Sequence, residues 1–302
     1  MAYTWYGISA TEWSFTSGEF MIGMASLAAA LAIGFLLVRA LLPELEGASA
    51  ILFLAGCGAA VGFGIDSLLF FVLTMAGAEG ALWFTLEQAL LLAAAIWLYW
   101  QRAGRAARHQ TNATRRRLPR AATIAGIALS AELVLMLASF LRISRVDPHG
   151  AWDAWSIWNL RARYLAGGQA TWRYAVSKYI ILQHPDYPLL TSSLTAHAWV
   201  NSGSIGARVP IAVALAFMLA TVLVLVAGVV RSRGAMPGLC AGAMLLAAPE
   251  WFKLGAAQYA DIPLGFYFLA TLALLCAGRH DGRFALLAGF TASLSAWPRT
   301  KA

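Results

Sequence analysis

Six runs of this chain, residues 20–38, 51–75, 81–100, 121–141, 210–230 and 262–277, are apolar enough to enter a lipid bilayer. A membrane-crossing helix needs about 20 mostly apolar residues, because lipid offers no partner to an unsatisfied backbone amide. A seventh run, 235–252, is weaker, and an eighth starts near Phe284. Hydrophobic residues make up 60% of the chain and charged ones 12%, against about 25% charged in soluble domains. The expected fold class is therefore all-α and polytopic. Cys57, Cys240 and Cys276 all lie inside apolar runs, so they form neither a disulfide framework nor a metal-binding spacing. The first nineteen residues contain no Lys or Arg, which excludes the basic start of a signal peptide.

The formal charge of +8 comes mainly from arginine. Nucleic acid is not the expected partner, because the arginines cluster beside the apolar runs, where they set topology. The segment 101–120 holds Arg102, Arg105, Arg108, Arg115, Arg116, Arg117 and Arg120 and is expected on the cytoplasmic side. A site for anionic lipid is the sharper reading of the same charges. The glycosylation-like triplet Asn112-Ala113-Thr114 is unused on that side. Alternation puts the N-terminus outside, Arg39 inside and residues 142–186 outside. The segment 187–200 is only fourteen residues long and contains Ser, Thr and His. Laid along the outer surface, it leaves Arg231, Arg233, Arg279 and Arg283 cytoplasmic, as the charge rule prefers. The acidic patches around Asp153 and Asp261 then share the outer side.

The segment 150–165, GAWDAWSIWNLRARYL, interrupts this apolar pattern. Trp152, Trp155 and Trp158 recur at spacing three, which on a helix makes one face. The plain reading is an aromatic anchor at the membrane interface with a solvated Asp153. The functional one is a carboxylate at the mouth of a groove, with Trp152 and Trp155 contacting a sugar or isoprenoid. Arg161, Arg163, Arg173 and Lys178 follow and suit phosphate oxygens. Asp147 is a second candidate carboxylate. In LQHPDYPLL, Asp186 and Pro188 fit a helix start, which leaves His184 unexplained. In QYADIPL, Asp261 is either a helix cap or an acid at a helix N-terminus. Asp153 and Asp261 on one side could hold a divalent metal or divide base and metal roles. Asp66, Glu87 and Glu132 lie inside apolar runs, where acids are costly and raise a functional expectation; no basic partner is evident for Asp66 or Glu87.

The ordered set WDAWSIW, HPDYPLL, SIGARVPIAVAL and QYADIPLGFYFLATLALL resembles the bacterial GT-C class of glycosyltransferases, which includes protein O-mannosyltransferases and lipid A aminoarabinose transferases. The resemblance covers residues 121–302. It implies a GT-C-like core there, preceded by a three-span extension and basic loop over 1–120. It implies a large first periplasmic loop with short membrane-surface helices. Asp153 matches the essential acid of that loop, and Asp261 matches a second acid before a span. His184, Pro185, Pro188 and Leu189 match a surface segment loosely, interrupted by Asp186 and Tyr187, and Arg208 matches an Arg at the start of a span. The implied reaction moves a sugar from a polyprenyl-phosphate carrier to a glycan, lipid or protein hydroxyl on the periplasmic face of the inner membrane, with inversion. Arg161, Lys178, His184 and Arg208 are the candidate phosphate contacts, and Mg or Mn at Asp153 and Asp261 is the expected cofactor. Members continue with more spans, so the end at LSAWPRTKA, with a kinking Pro298, predicts a truncated and inactive fragment. The competing expectation is a transporter or flippase relaying through Asp66, Glu87 and Glu132.

Overall fold

The computed structural model describes residues 17–106, 119–179, 184, 187–278 and 280–295. It is helical, with no strand among the described residues. The helices are α1 (Ser17–Leu41), α2 (Ala48–Met75), α3 (Ala81–Ala106), α4 (Arg120–Val146), α5 (Asn159–Ala166), α6 (Leu190–Ser202), α7 (Arg208–Arg233), α8 (Ala235–Leu246), α9 (Pro249–Ala256), α10 (Asp261–Ala277) and α11 (Gly282–Ser295). Helices α1, α2, α3, α4 and α7 are long and apolar enough to cross a membrane. Helices α9 and α10 together make a sixth candidate, bent by 119° at their junction. The weak run 235–252 is divided between α8 and α9. Pro249 opens α9, where its missing N–H costs nothing.

Helices α1 and α2 are pressed together at small residues. A Cβ built on Gly34 would collide with the backbone of Gly58 and Gly62, and one built on Gly62 would strike the carbonyl of Ala30. Lipid tails give helices no hydrophobic reason to pair, so close van der Waals contact of this kind is what holds them. Helix α2 also packs on α6, α7, α10 and α11. Packing therefore shows no break at residue 120: Leu27, Ala59, Phe63 and Phe84 share one core with Leu194, Trp199, Phe217 and Phe266. The outlier is α4, which is mostly exposed and rests on α8 and α9.

Cross-contacts sort the helix ends. At one end Arg283 donates to the Leu41 carbonyl (3.0 Å) and to Glu44 (2.9 and 3.1 Å). At the other, Gln169 reaches Thr74 and Glu79, Arg208 covers the Phe20 ring, and Ala151 N–H donates to Ala257 (3.1 Å). Arg39, Arg102, Arg120, Arg231, Arg233 and Arg283 thus share the first end, and Asp153 and Asp261 share the second.

Helix α6 differs from its expectation. Eleven of its thirteen residues are buried, so it is enclosed by α1, α2, α3 and α5 rather than laid on a surface. It does not cross the bundle either. Its first residue, Leu190, accepts a hydrogen bond from Ser67 (2.8 Å), and its last turn reaches Ser26 through Asn201 (3.0 Å). Ser26 and Ser67 stand at one level of the α1–α2 pair. Thirteen residues span about 20 Å, too little to cross a core of about 30 Å. Its Ser, Thr and Ala side chains admit close neighbours and give its polar atoms partners, which is why it sinks in among the spans.

Candidate active site

The opening patch is built from the end of α4. Asp147 ends that helix, its N–H on Ile143 and its carbonyl accepting from Gly150 (3.1 Å). Gly150 has φ +71°, and a Cβ there would sit 2.5 Å from the Ala257 carbonyl. The close approach lets Ala151 donate to that carbonyl. Across the same contact, Gln258 donates to the Pro148 carbonyl (3.0 Å) and accepts from Asn159 (3.2 Å). Gln258 itself has φ +60°, a conformation that costs a non-glycine residue free energy unless its surroundings hold it. The loop bearing Asp153 and the turn bearing Asp261 are therefore clasped, as their shared side requires. Neither Gln258 nor Asn159 stands out in the sequence; only the odd backbone angle of one and its cross-chain bonds reveal them.

The tryptophan face divides. Residues Ala154–Trp158 form a π-turn, which holds more residues per turn than an α-helix, so spacing three no longer lines up. Trp152 and Trp155 meet edge to face at 4.5 Å and remain exposed. Trp158 turns inward and stacks on Tyr187 at 5.6 Å, and Tyr187 stacks on His184 at 4.4 Å. Asp153, just before the π-turn, is half-buried and accepts no hydrogen bond among the described residues. Asp261 is exposed and is the first residue of α10, with Ala260 at the cap position, so the expected cap is not formed. The corresponding position of α6 is Leu189, and Asp186 and Pro185 lie outside the described residues. So do Trp297 and Pro298, and most of the arginine-rich segment 101–120.

Arg161 is corrected. It is fully buried, donating from Nε to the Ala175 carbonyl (2.8 Å) and from Nη1 to those of Tyr187 (2.8 Å) and His184 (3.4 Å). Its guanidinium ties the loop together through these carbonyls. Lys178 and His184 are exposed, and Arg208, at the start of α7, is half-buried. Among the described residues, Asp153 and Asp261 belong to no group of three metal-ligating side chains. A cavity of about 30 Å³ lies under the clasp, lined by Trp158, Asn159, Thr195, Gln258 and Tyr259. It has room for water but not for a sugar.

The buried acids do find a partner. His197 of α6 places Nδ1 2.9 Å from Asp66 and Nε2 3.8 Å from Glu87. Gln88 donates to Asp66 (2.6 Å) and to the Ser26 carbonyl (3.1 Å), and Asn201 donates to Gln88 (3.2 Å). Sequence reading counted His197 only as a polar residue that argued against a span, because nothing local ties it to Asp66. Glu132, on the exposed α4, stands apart from this cluster, with Oε2 unpartnered among the described residues. The chain matches no protein-family profile, no curated protein and no solved structure.

Proposed function

We propose that this chain is an integral membrane glycosyltransferase of the GT-C kind, acting on a polyprenyl-phosphate sugar at the Asp153 end of the bundle. The observation that carries this reading is the clasp between the Asp153 loop and the Asp261 turn, two segments about a hundred residues apart that the resemblance assigns to one site. Asp153 is the base. Its carboxylate has no hydrogen-bond partner among the described residues and can take the proton of an acceptor hydroxyl. As that proton moves, the hydroxyl oxygen bonds to the anomeric carbon and the bond from that carbon to the phosphate oxygen breaks. The electron pair leaves with the polyprenyl phosphate. One displacement inverts the anomeric centre. General base help of this kind is worth about 10²–10⁴-fold. Lys178, His184 and Arg208 stabilise the leaving phosphate as charge builds on it, while Arg161 holds the loop that carries Lys178 and His184. Trp152 and Trp155 offer an exposed aromatic surface to sugar or isoprenoid.

The competing reading is a transporter or flippase, and the buried Asp66–His197–Glu87 chain favours it. The deciding experiment assays purified protein in lipid nanodiscs against a panel of polyprenyl-phosphate sugars. Asp153→Asn is expected to abolish transfer with membrane insertion intact, and Asp66→Asn to cost much less. Near-normal transfer by the Asp153 variant, with collapse in the Asp66 variant, overturns the transferase reading.

A further inference from the structure

We propose that Asp66, Glu87 and His197 form an intramembrane binding site for a divalent first-row transition-metal ion, zinc-like in its preferences. The three come from α2, α3 and α6. One oxygen of each carboxylate and one imidazole nitrogen lie within 4.8 Å of one another. Ligand atoms around a tetrahedral ion at about 2.1 Å are about 3.4 Å apart, so the three side chains draw together by up to about 1.4 Å on binding. All three side chains are at least nine-tenths buried.

The cluster is complete on one side and open on the other. Asp66 is held from below by Gln88 and from the side by His197 Nδ1. His197 Nε2 and both Glu87 oxygens have no hydrogen-bond partner among the described residues. Nε2 and Glu87 Oε2 stand 3.8 Å apart, beyond hydrogen-bond length. Buried polar atoms without partners are costly, and these three belong to one cluster.

Charge argues the same way. No lysine or arginine pairs with either carboxylate among the described residues. A divalent cation takes the place of the protons these groups otherwise hold and compensates the carboxylate charge, in a setting where uncompensated charge is expensive. Imidazole with carboxylate suits zinc and its neighbours, whereas magnesium and calcium prefer oxygen alone. The walls are aromatic: Phe70 stacks on the His197 ring at 5.1 Å and Phe84 meets it edge-on at 5.5 Å. Bound there, the ion pins α6 to the two spans beneath it. This site is separate from Asp153, and its test does not read sugar transfer.

The 302-residue chain, purified in detergent and stripped with a chelator, is titrated with Co²⁺ and then Zn²⁺. One equivalent of Co²⁺ with a visible absorption band, displaced by Zn²⁺, is expected. X-ray absorption of the zinc form is expected to show imidazole and oxygen ligands without sulfur. Glu87→Gln keeps the side-chain size and is expected to weaken binding at least about a hundredfold, the upper end for loss of even an outer-shell partner. His280→Ala, an exposed histidine at the opposite end, is expected to leave binding unchanged. No bound Co²⁺ in the wild-type chain, sulfur ligation, or unaltered binding in Glu87→Gln overturns the proposal. The first of these outcomes indicates that protons fill the gap instead. If the Glu87 variant does not fold, the wild-type stoichiometry and ligand set still decide.

Discussion

Asp153 and Asp66 are both aspartates beside aromatic rings, but their surroundings are opposed. Asp66 is buried, and both its oxygens are occupied, one by Gln88 and one by His197. Asp153 is half-buried at the end of the bundle, with neither oxygen engaged among the described residues. Around Asp66 the backbone is regular helix, whereas around Asp153 it is a π-turn reached through a left-handed glycine. A carboxylate whose hydrogen bonds are all made is an architectural element. One held by a constrained backbone, with its oxygens open, is available for chemistry. On the proposed function the first serves stability and the second activity, and each assignment can be broken separately.

The largest effect is expected from Asp66→Ala. It leaves the Gln88 amide and the His197 ring facing an empty, buried position. Removing one partner of a buried charged pair costs about 3–5 kcal/mol, measurable as a lowered unfolding midpoint in a mixed-micelle titration. Asp153→Asn reverses the pattern. Its unfolding midpoint stays at the wild-type value, while sugar transfer drops at least about a hundredfold, or about 2.7 kcal/mol of barrier. A stability loss in Asp153→Asn matching that of Asp66→Ala would dissolve the distinction.

Gly150→Ala sharpens the comparison by leaving both aspartates in place. The left-handed backbone costs a side chain about 1–2 kcal/mol, and the new methyl group meets the Ala257 carbonyl at 2.5 Å. The clasp is expected to loosen, with faster hydrogen exchange at Ala151 and reduced transfer, while the His197 cluster keeps its protection. The smallest effect is expected at the opposite end. There the Arg283 guanidinium, which hydrogen-bonds Asp281, holds that carboxyl below its ordinary value. A depressed carboxyl adds stability above its unfolded value of about 4 and loses it as pH falls through the folded one. Asp281→Asn therefore lowers the unfolding midpoint slightly at neutral pH and not at all in acid, read from melts at several pH values.

The spans were legible because lipid imposes one rule on them. The apolar runs at 20–38 and 210–230 extend into α1 and α7 by two or three residues at each end, and the run at 51–75 into α2 by three at its start. The shared end of the Asp153 and Asp261 patches followed from arginine placement alone. Three things were hidden. The inward turn of Trp158 depends on a π-turn, and the spacing of WDAWSIW reads equally well as an α-helix. The burial of Arg161 depends on carbonyls at Ala175 and Tyr187, and backbone groups have no sequence signature. His197 stands 131 residues from Asp66, and no local pattern joins them. Long-range polar pairing is specified by the fold as a whole, so it surfaces only once the helices are assembled.

That same separation has a consequence for biogenesis. Asp66 enters the membrane with α2, well before α6 has been synthesised. At roughly 5–20 residues per second, the 131 residues to His197 take roughly 7–26 s. Through that interval a carboxyl group sits among apolar helices without its imidazole. Gln88 follows only 22 residues behind, and its amide is the first donor in this cluster to reach Asp66. In the folded chain Gln88 keeps one oxygen of the acid and His197, the later arrival, takes the other.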